Sequence, residues 1–495
     1  LNEKEMMTLF LIFFPLFVAI VLFALRPSNA KVWALAGSLV ELIGSLIVAA
    51  GFVPNEVYQF VVDIPWITSL GLHFAVGIDG IGLVLVLLTT VLVPLIILSS
   101  FNSSYQNQST FYGLILMMQM ALIGVFTALD GLLFYLFWEM ALIPIYFICL
   151  IWGGEDRGRI TLKFFLYTLA GSLFMLVGLV YLYYQTPSPH TFDIHALYVA
   201  GRALPAATQG LIFWAMFVAF AIKMPVFPFH TWQPDTYTVA PVQGTMLLSG
   251  IMLKMGIYGM IRWLIPVVPV GVREWGSTAI VLSIIGIIYA SCIAIIQKDF
   301  KRLIAYSSIA HVGLISAGAL TLSTIGVQGA MIQMFSHGIV VFGLFYIIEI
   351  IFQRTDTRTL ASLGGIRNVA PILTTVFVIV MLGSVALPLT SGFVGEFLLI
   401  NSLFQYQAYM GAVAGLTIIL GAVYMLRTFQ QSMSGEVNNT MSGFADLTNH
   451  EKLVLYPVVI LIVLLGVYPM PLLNLSEASV ENLLNIYSNL SALGR

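Results

Sequence analysis

Fourteen stretches of about twenty consecutive apolar residues follow one another along the chain, and no other feature restricts its fold so severely. They lie near 6–25, 32–53, 78–100, 111–129, 131–152, 160–184, 208–230, 241–264, 275–296, 303–321, 325–352, 369–400, 402–426 and 451–472. Each has the length an α-helix needs to cross a hydrocarbon core of about 30 Å, and little chain is left over for a soluble domain. A soluble globule is excluded by charge: only 8% of residues are Asp, Glu, Lys or Arg, where such a globule carries roughly a quarter. The runs also lack the strict alternation of barrel strands, and open sheet edges cannot face lipid. The prediction is an all-α polytopic membrane protein of about fourteen transmembrane helices.

Threading the runs alternately through a membrane sorts the basic residues by side. Arg26, Lys31, Arg157, Arg159, Lys163, Lys298, Lys301, Arg302, Arg354, Arg358, Arg367, Arg427 and Lys452 fall on the side of the first loop. Lys4, Arg202, Arg262, Arg273 and Arg495 fall on the other, and Lys223 and Lys254 complete the 20. This excess predicts a multi-pass membrane protein with both termini on the extracytoplasmic side. Lys4 and the "SNA" at 28–30 imitate a secretory signal, but the first run exceeds the usual core of about 7–15 residues and reads as a retained helix. Residues 54–76 are too polar to span and alternate in part like a strand, which predicts a hairpin on the outer face. Asp79 and Asp130 fall at helix starts, where a carboxylate caps backbone donors. Glu349, next to Arg354, reads as solvated near the membrane interface.

Cys149 and Cys292 lie in separate apolar runs without ligand spacing, so no disulfide framework, metal site or iron–sulfur site is predicted. The "GIDGIG" at 77–82 lacks the strand–turn–helix context of a nucleotide loop and reads as a helix start. Neither a redox cofactor in this chain nor a nucleic-acid partner is expected; lipid and protons are.

The informative charges are those inside the runs. A lysine at a helix centre costs about 2.5–3.5 kcal/mol even on the insertion scale, so intramembrane ionisable groups face partners or water and mark ion pathways. Lys223 and Lys254 sit on consecutive runs, and Glu139 in "LFYLFWEMALIPIYF" and Glu396 in "LPLTSGFVGEFLLI" are the anionic candidates. A clamp between helices is the plain alternative for one such pair; four in one chain favour a pathway. His311 follows Ser307 and Ser308 on one helix face, and His337 follows Gln333 by one turn. Imidazole exchanges protons at physiological pH. A lone buried histidine is usually a satisfied core residue, but two with serine and glutamine companions favour a relay. Glu41, in the second run, is a secondary candidate together with His230, Ser307 and Gln333.

Prolines break the pathway helices. Pro225 and Pro228 follow Lys223 directly, removing backbone donors and freeing carbonyls, which membrane proteins tolerate where protein or a wet cavity covers the gap. The twelfth run repeats this with Pro388 and Gly392 in "ALPLTSGF" before Glu396. The two interrupted helices, the seventh and the twelfth, are five apart in order and therefore opposite in direction. That predicts inverted five-helix repeats over 111–264 and 275–430, between N-terminal helices at 1–110 and a last helix with tail at 450–495. No lysine of the thirteenth run matches Lys254, so the halves differ in chemistry.

These motifs, with "HFAVGIDGIGLVLVLLTT", "FAIKMPVFPFHTWQPDTYTVAPV", "QKDFKRLIAYSSIAHVG" and "LTNHEKLVLYPVVILIVLLGVYP", resemble the antiporter-like proton-channel subunits of respiratory complex I essentially end to end. Glu396 resembles the M-type branch, since other branches place lysine there. The resemblance implies that Glu139 pairs with Lys223, that Lys254 is the middle relay, that His311 and His337 continue the axis, and that Glu396 ends it. It also implies FMN, iron–sulfur clusters and quinone in partner subunits, and L-like and N-like antiporter-like subunits as neighbours. The function expected is proton translocation coupled to NADH:quinone oxidoreduction. The competing expectations are a multisubunit sodium/proton antiporter or membrane-bound hydrogenase subunit, and a scaffold whose charges only tie helices together.

Overall fold

The computed structural model describes residues 3–437 and 443–491; Arg495, one of the bases used for orientation, lies outside them. Helices α1 (Glu3–Leu25) and α2 (Ala30–Gly51) lead into an antiparallel hairpin, β1 (Gln59–Ile67) and β2 (Leu72–Ile78), with Val62 opposite Val76 and Ile64 opposite Phe74. Four long helices follow: α3 (Gly80–Ser99), α4 (Gln108–Thr127), α5 (Gly131–Trp152) and α6 (Arg157–Gln185). A short helix, α7 (Ile194–Arg202), precedes α8 (Ala206–Lys223). After a non-helical stretch the chain continues through α9 (Gln233–Val239), α10 (Val242–Leu264), α11 (Pro269–Ile296), α12 (Phe300–Ala319) and α13 (Thr324–Thr355). It ends in α14 (Pro371–Ser384), α15 (Ser391–Tyr406), α16 (Ala408–Met433), α17 (Asn449–Val467) and α18 (Met470–Ser491).

Twelve helices among the described residues are long and apolar enough to cross a membrane. The other two apolar runs are α12 and the interrupted pair α14 and α15. Helix starts carry the caps their sequences encode: Asp79 accepts from Gly82, Asp130 from Leu132 and Leu133, and Thr448 forms a reciprocal capping box with Glu451.

Several boundaries differ from the sequence reading. The seventh run is helical only to Lys223, because Pro225 and Pro228 cannot continue the ladder. The twelfth breaks between Ser384 and Ser391, with Ala386 at φ 58° and Leu389 at φ 73°; left-handed backbone in non-glycine residues is a strained arrangement that clusters at functional sites. The C-terminal tail contains α18, too polar to span but amphipathic. Arg262, counted above among the bases of the outer side, lies inside α10, buried and ion-paired with Asp79. Arg354 pairs with Glu451 at 2.7 Å, while Glu349 accepts from Gln353 at 3.0 Å.

The described chain forms two compact units. One holds residues up to Met224, Ile251–Ala279 and the stretch from Asn474; the other holds Pro225–Gly250 and Ile280–Leu473.

Candidate functional site

In the first unit, α8 carries Lys223 as its last residue, 2% exposed, with Nζ 5.1 Å from the centre of the Trp138 ring. A cation over an indole face is held by the ring quadrupole. Glu139 follows Trp138 on α5, partly buried, within hydrogen-bonding reach of the Ser172 and Tyr135 hydroxyls and of the Coulomb field of Lys223. Its Oε1 has no hydrogen-bond partner. Acid and amine thus lie within each other's Coulomb field.

Lys254 is completely buried on α10, between two π-helical turns, Leu248–Met252 and Met260–Leu264. Such turns recur at functional sites. The stretch around Lys254 approaches the end of α8 closely: a Cβ on Gly256 would meet the Phe220 carbonyl oxygen at 2.8 Å and Met224 Cβ at 2.9 Å. Gly256→Val is therefore expected to overpack this contact by about 1–3 kcal/mol. It should lower the melting temperature of the assembled protein, whereas Gly158→Ala, at a position with open space around it, should leave it unchanged.

In the second unit, α12, α13 and α15 assemble the remaining candidates. His311 Nδ1 lies 2.7 Å from Glu396 Oε1, and Gln333 Nε2 donates to the same oxygen at 3.3 Å. The His311 and His337 rings are 6.0 Å apart between centroids, and Ser308 bonds His337 Nε2 at 3.1 Å. All five side chains are buried. His311 Nε2 and Glu396 Oε2 have no hydrogen-bond partner among protein atoms. A cavity of ≈ 20 Å³ bordered by Ser307, Ser308, His311, Gln333 and His337 has room for about one water. Ser307 bonds Tyr424 at 2.9 Å and not His311.

The break before α15 aims Glu396 into this cluster. A Cβ on Gly392 would meet the Gly383 carbonyl oxygen at 2.1 Å, so glycine alone permits the return of the chain. Ser336 also ties α13 to Ser391 at the start of α15, at 2.7 Å. His230, in the stretch after Pro228, stacks on Phe227 at 5.7 Å and meets Tyr289 edge-on at 5.2 Å. Glu41 is wholly buried on α2, and both its oxygens lack a hydrogen-bond partner among protein atoms. Small residues, Gly37, Ser38, Gly44 and Ser45, flank it on the buried face of α2.

Tyr424, Trp138 and the Asp79–Arg262 pair were not singled out from sequence. Aromatic residues in an apolar run carry no signal of their own, and Asp79 already had an explanation as a cap. Among the described residues no group of three or more His, Cys, Asp or Glu is placed to hold a metal ion.

Residues 128–421 match the family described as NADH:quinone oxidoreductase/Mrp antiporter, transmembrane. The chain is 42% identical over 453 residues to NADH-quinone oxidoreductase subunit M of Rickettsia prowazekii, covering 91% of this chain and 92% of that one. A chain of respiratory complex I from Thermus thermophilus with bound NADH superposes with a TM-score of 0.88 at 29% identity, over 96% of this chain and 99% of that chain. A chain of the Mrp complex from Dietzia shares the fold, with a TM-score of 0.83 at 19% identity, over 97% of this chain and 52% of that one.

Proposed function

We propose a proton relay for a chain that belongs to the NADH:quinone oxidoreductase/Mrp antiporter transmembrane family, and within it to the M subunits of NADH-quinone oxidoreductase. As such the protein is a proton-translocating membrane-arm subunit of a proton-pumping NADH:quinone oxidoreductase. The reading places FMN, iron–sulfur clusters and quinone in companion chains. L-like and N-like subunits and lipid are its neighbours, and both its termini lie on the extracytoplasmic side of a bacterial inner membrane. The interrupted helices ending at Lys223 and beginning before Glu396 support inverted repeats over 111–264 and 275–430, with ion sites at the breaks.

The observation that carries the relay is the His311–Glu396 contact at 2.7 Å beside a helix break. An acid and an imidazole at that distance share a proton, and the adjoining cavity has room for about one water to pass it on. At the other end, Glu139 and Lys223 form a coupled pair. A nearby carboxylate favours the protonated amine, and its withdrawal drives the desolvated amine to lose its proton. The order Lys223, Lys254, His311, His337, Glu396 rests on the family resemblance.

Purification from membranes through this chain is expected to bring flavin, iron–sulfur centres and NADH oxidation with it, and NADH should acidify proteoliposomes containing the assembly. An assembly that lacks NADH oxidation and exchanges sodium for protons would replace this reading with the antiporter one.

A further inference from the structure

Within the first unit, a cavity of ≈ 470 Å³ is bordered by Glu56, Tyr58, Asp79, His195, Arg262 and Asn482. The hairpin side, α7 and α18 surround it, which puts it on the face proposed as extracytoplasmic. The cavity has charged and polar side chains on its wall and is far larger than one water needs, so it gives solvent room to reach the end of α10, where Arg262 borders it. Lys254, Tyr258 and Arg262 lie at four-residue spacing along that helix, and all three are buried. The Arg262 guanidinium stands 5.9 Å from the centre of the Tyr258 ring, which keeps the row continuous across the second π-helical turn. Lys254, Tyr258 and Arg262 thus form a row of polar side chains along α10 that ends at the outside cavity.

Two members of the row are held by neighbours. The Tyr258 hydroxyl donates to the Phe126 carbonyl at 3.1 Å. Arg262 is ion-paired with Asp79 and donates to the Tyr58 hydroxyl at 3.0 Å; burial pushes the Tyr58 phenol up, so it stays a neutral hydroxyl. Lysine, histidine and glutamate can each release and regain a proton, but a guanidinium cannot be deprotonated in a protein. Its place in the row is the one place where a proton hop must stop.

We propose that Arg262, pinned by Asp79, is a proton-inert seal that separates the outer cavity from Lys254 and prevents pumped protons from flowing back. The proposal rests on the reading of Lys254 as a relay group. The plain alternative is a clamp that ties α10 to the start of α3.

The test uses the intact complex in proteoliposomes, with a pH gradient imposed in the absence of NADH and its decay followed by a trapped dye. Arg262→Lys keeps the cation and the ion pair but restores a group that can lose its proton; Arg262→His introduces a titratable ring. Both are expected to collapse the gradient several-fold faster than the wild type, and adding Lys254→Met to either should restore tightness. Assembled complexes of both variants that hold the gradient as well as the wild type would overturn the seal, as would a leak that Lys254→Met leaves unchanged. Pumping by Lys254→Met alone tests the relay reading separately.

Discussion

Replacing Lys223 with alanine is expected to abolish most NADH-driven proton pumping while the complex still assembles; Glu139→Ala is expected to do the same less completely. The asymmetry follows from the surroundings. Lys223 is buried and its amine lies over the Trp138 ring, whereas Glu139 is partly exposed and its hydroxyl partners, Ser172 and Tyr135, remain when it is removed. Each factor of ten in proton occupancy corresponds to about 1.4 kcal/mol, and loss of a close buried partner is worth more than that. Pumping in proteoliposomes should therefore fall at least about tenfold for Lys223→Ala, with the yield of purified complex unchanged. Normal pumping in both variants would remove the pair from the mechanism.

Glu396→Gln is expected to have the second-largest effect. The amide fills the same volume and can still accept from Gln333, but it cannot take up and release a proton. His311 then loses the acid it faces at 2.7 Å. Pumping should drop by about the same order as for Lys223, and detergent-solubilised melting should change little. Glu396→Ala differs in kind. It leaves buried His311 and Gln333 side chains without their shared acceptor, at about 1–3 kcal/mol each, and should lower the melting temperature as well. A Glu396→Gln complex that pumps like the wild type would take this residue out of the relay.

Much of this was legible in the sequence because lipid enforces a simple rule. Any charge in a twenty-residue apolar run demands a reason, so Lys223, Lys254, Glu139 and Glu396 stood out, and the prolines beside two of them announced the breaks. The hairpin was readable from alternation between polar stretches. What stayed hidden were contacts that cross from one element to another. Ser307 lies on the same helix face as His311, yet its hydroxyl bonds Tyr424, a residue more than a hundred positions away; periodicity within one helix cannot reveal a neighbour on another. Arg262 passed as an ordinary outer-side base because it lies at the end of its run, where a charge normally needs no explanation, and its burial against Asp79 shows only in the fold. The amphipathic α18 was missed because a helix with a polar face looks, residue by residue, like an ordinary tail.

The π-helical turns on either side of Lys254 give α10 a kind of mechanical slack. A π turn holds a surplus residue, and shifting that surplus along the helix turns the intervening residues by about 100° and slides them by about 1.5 Å while both ends stay where they are. The amine of Lys254 can thus be swivelled from one facing group to another by a ripple inside its own helix, without any neighbouring helix having to travel through the tightly filled interior.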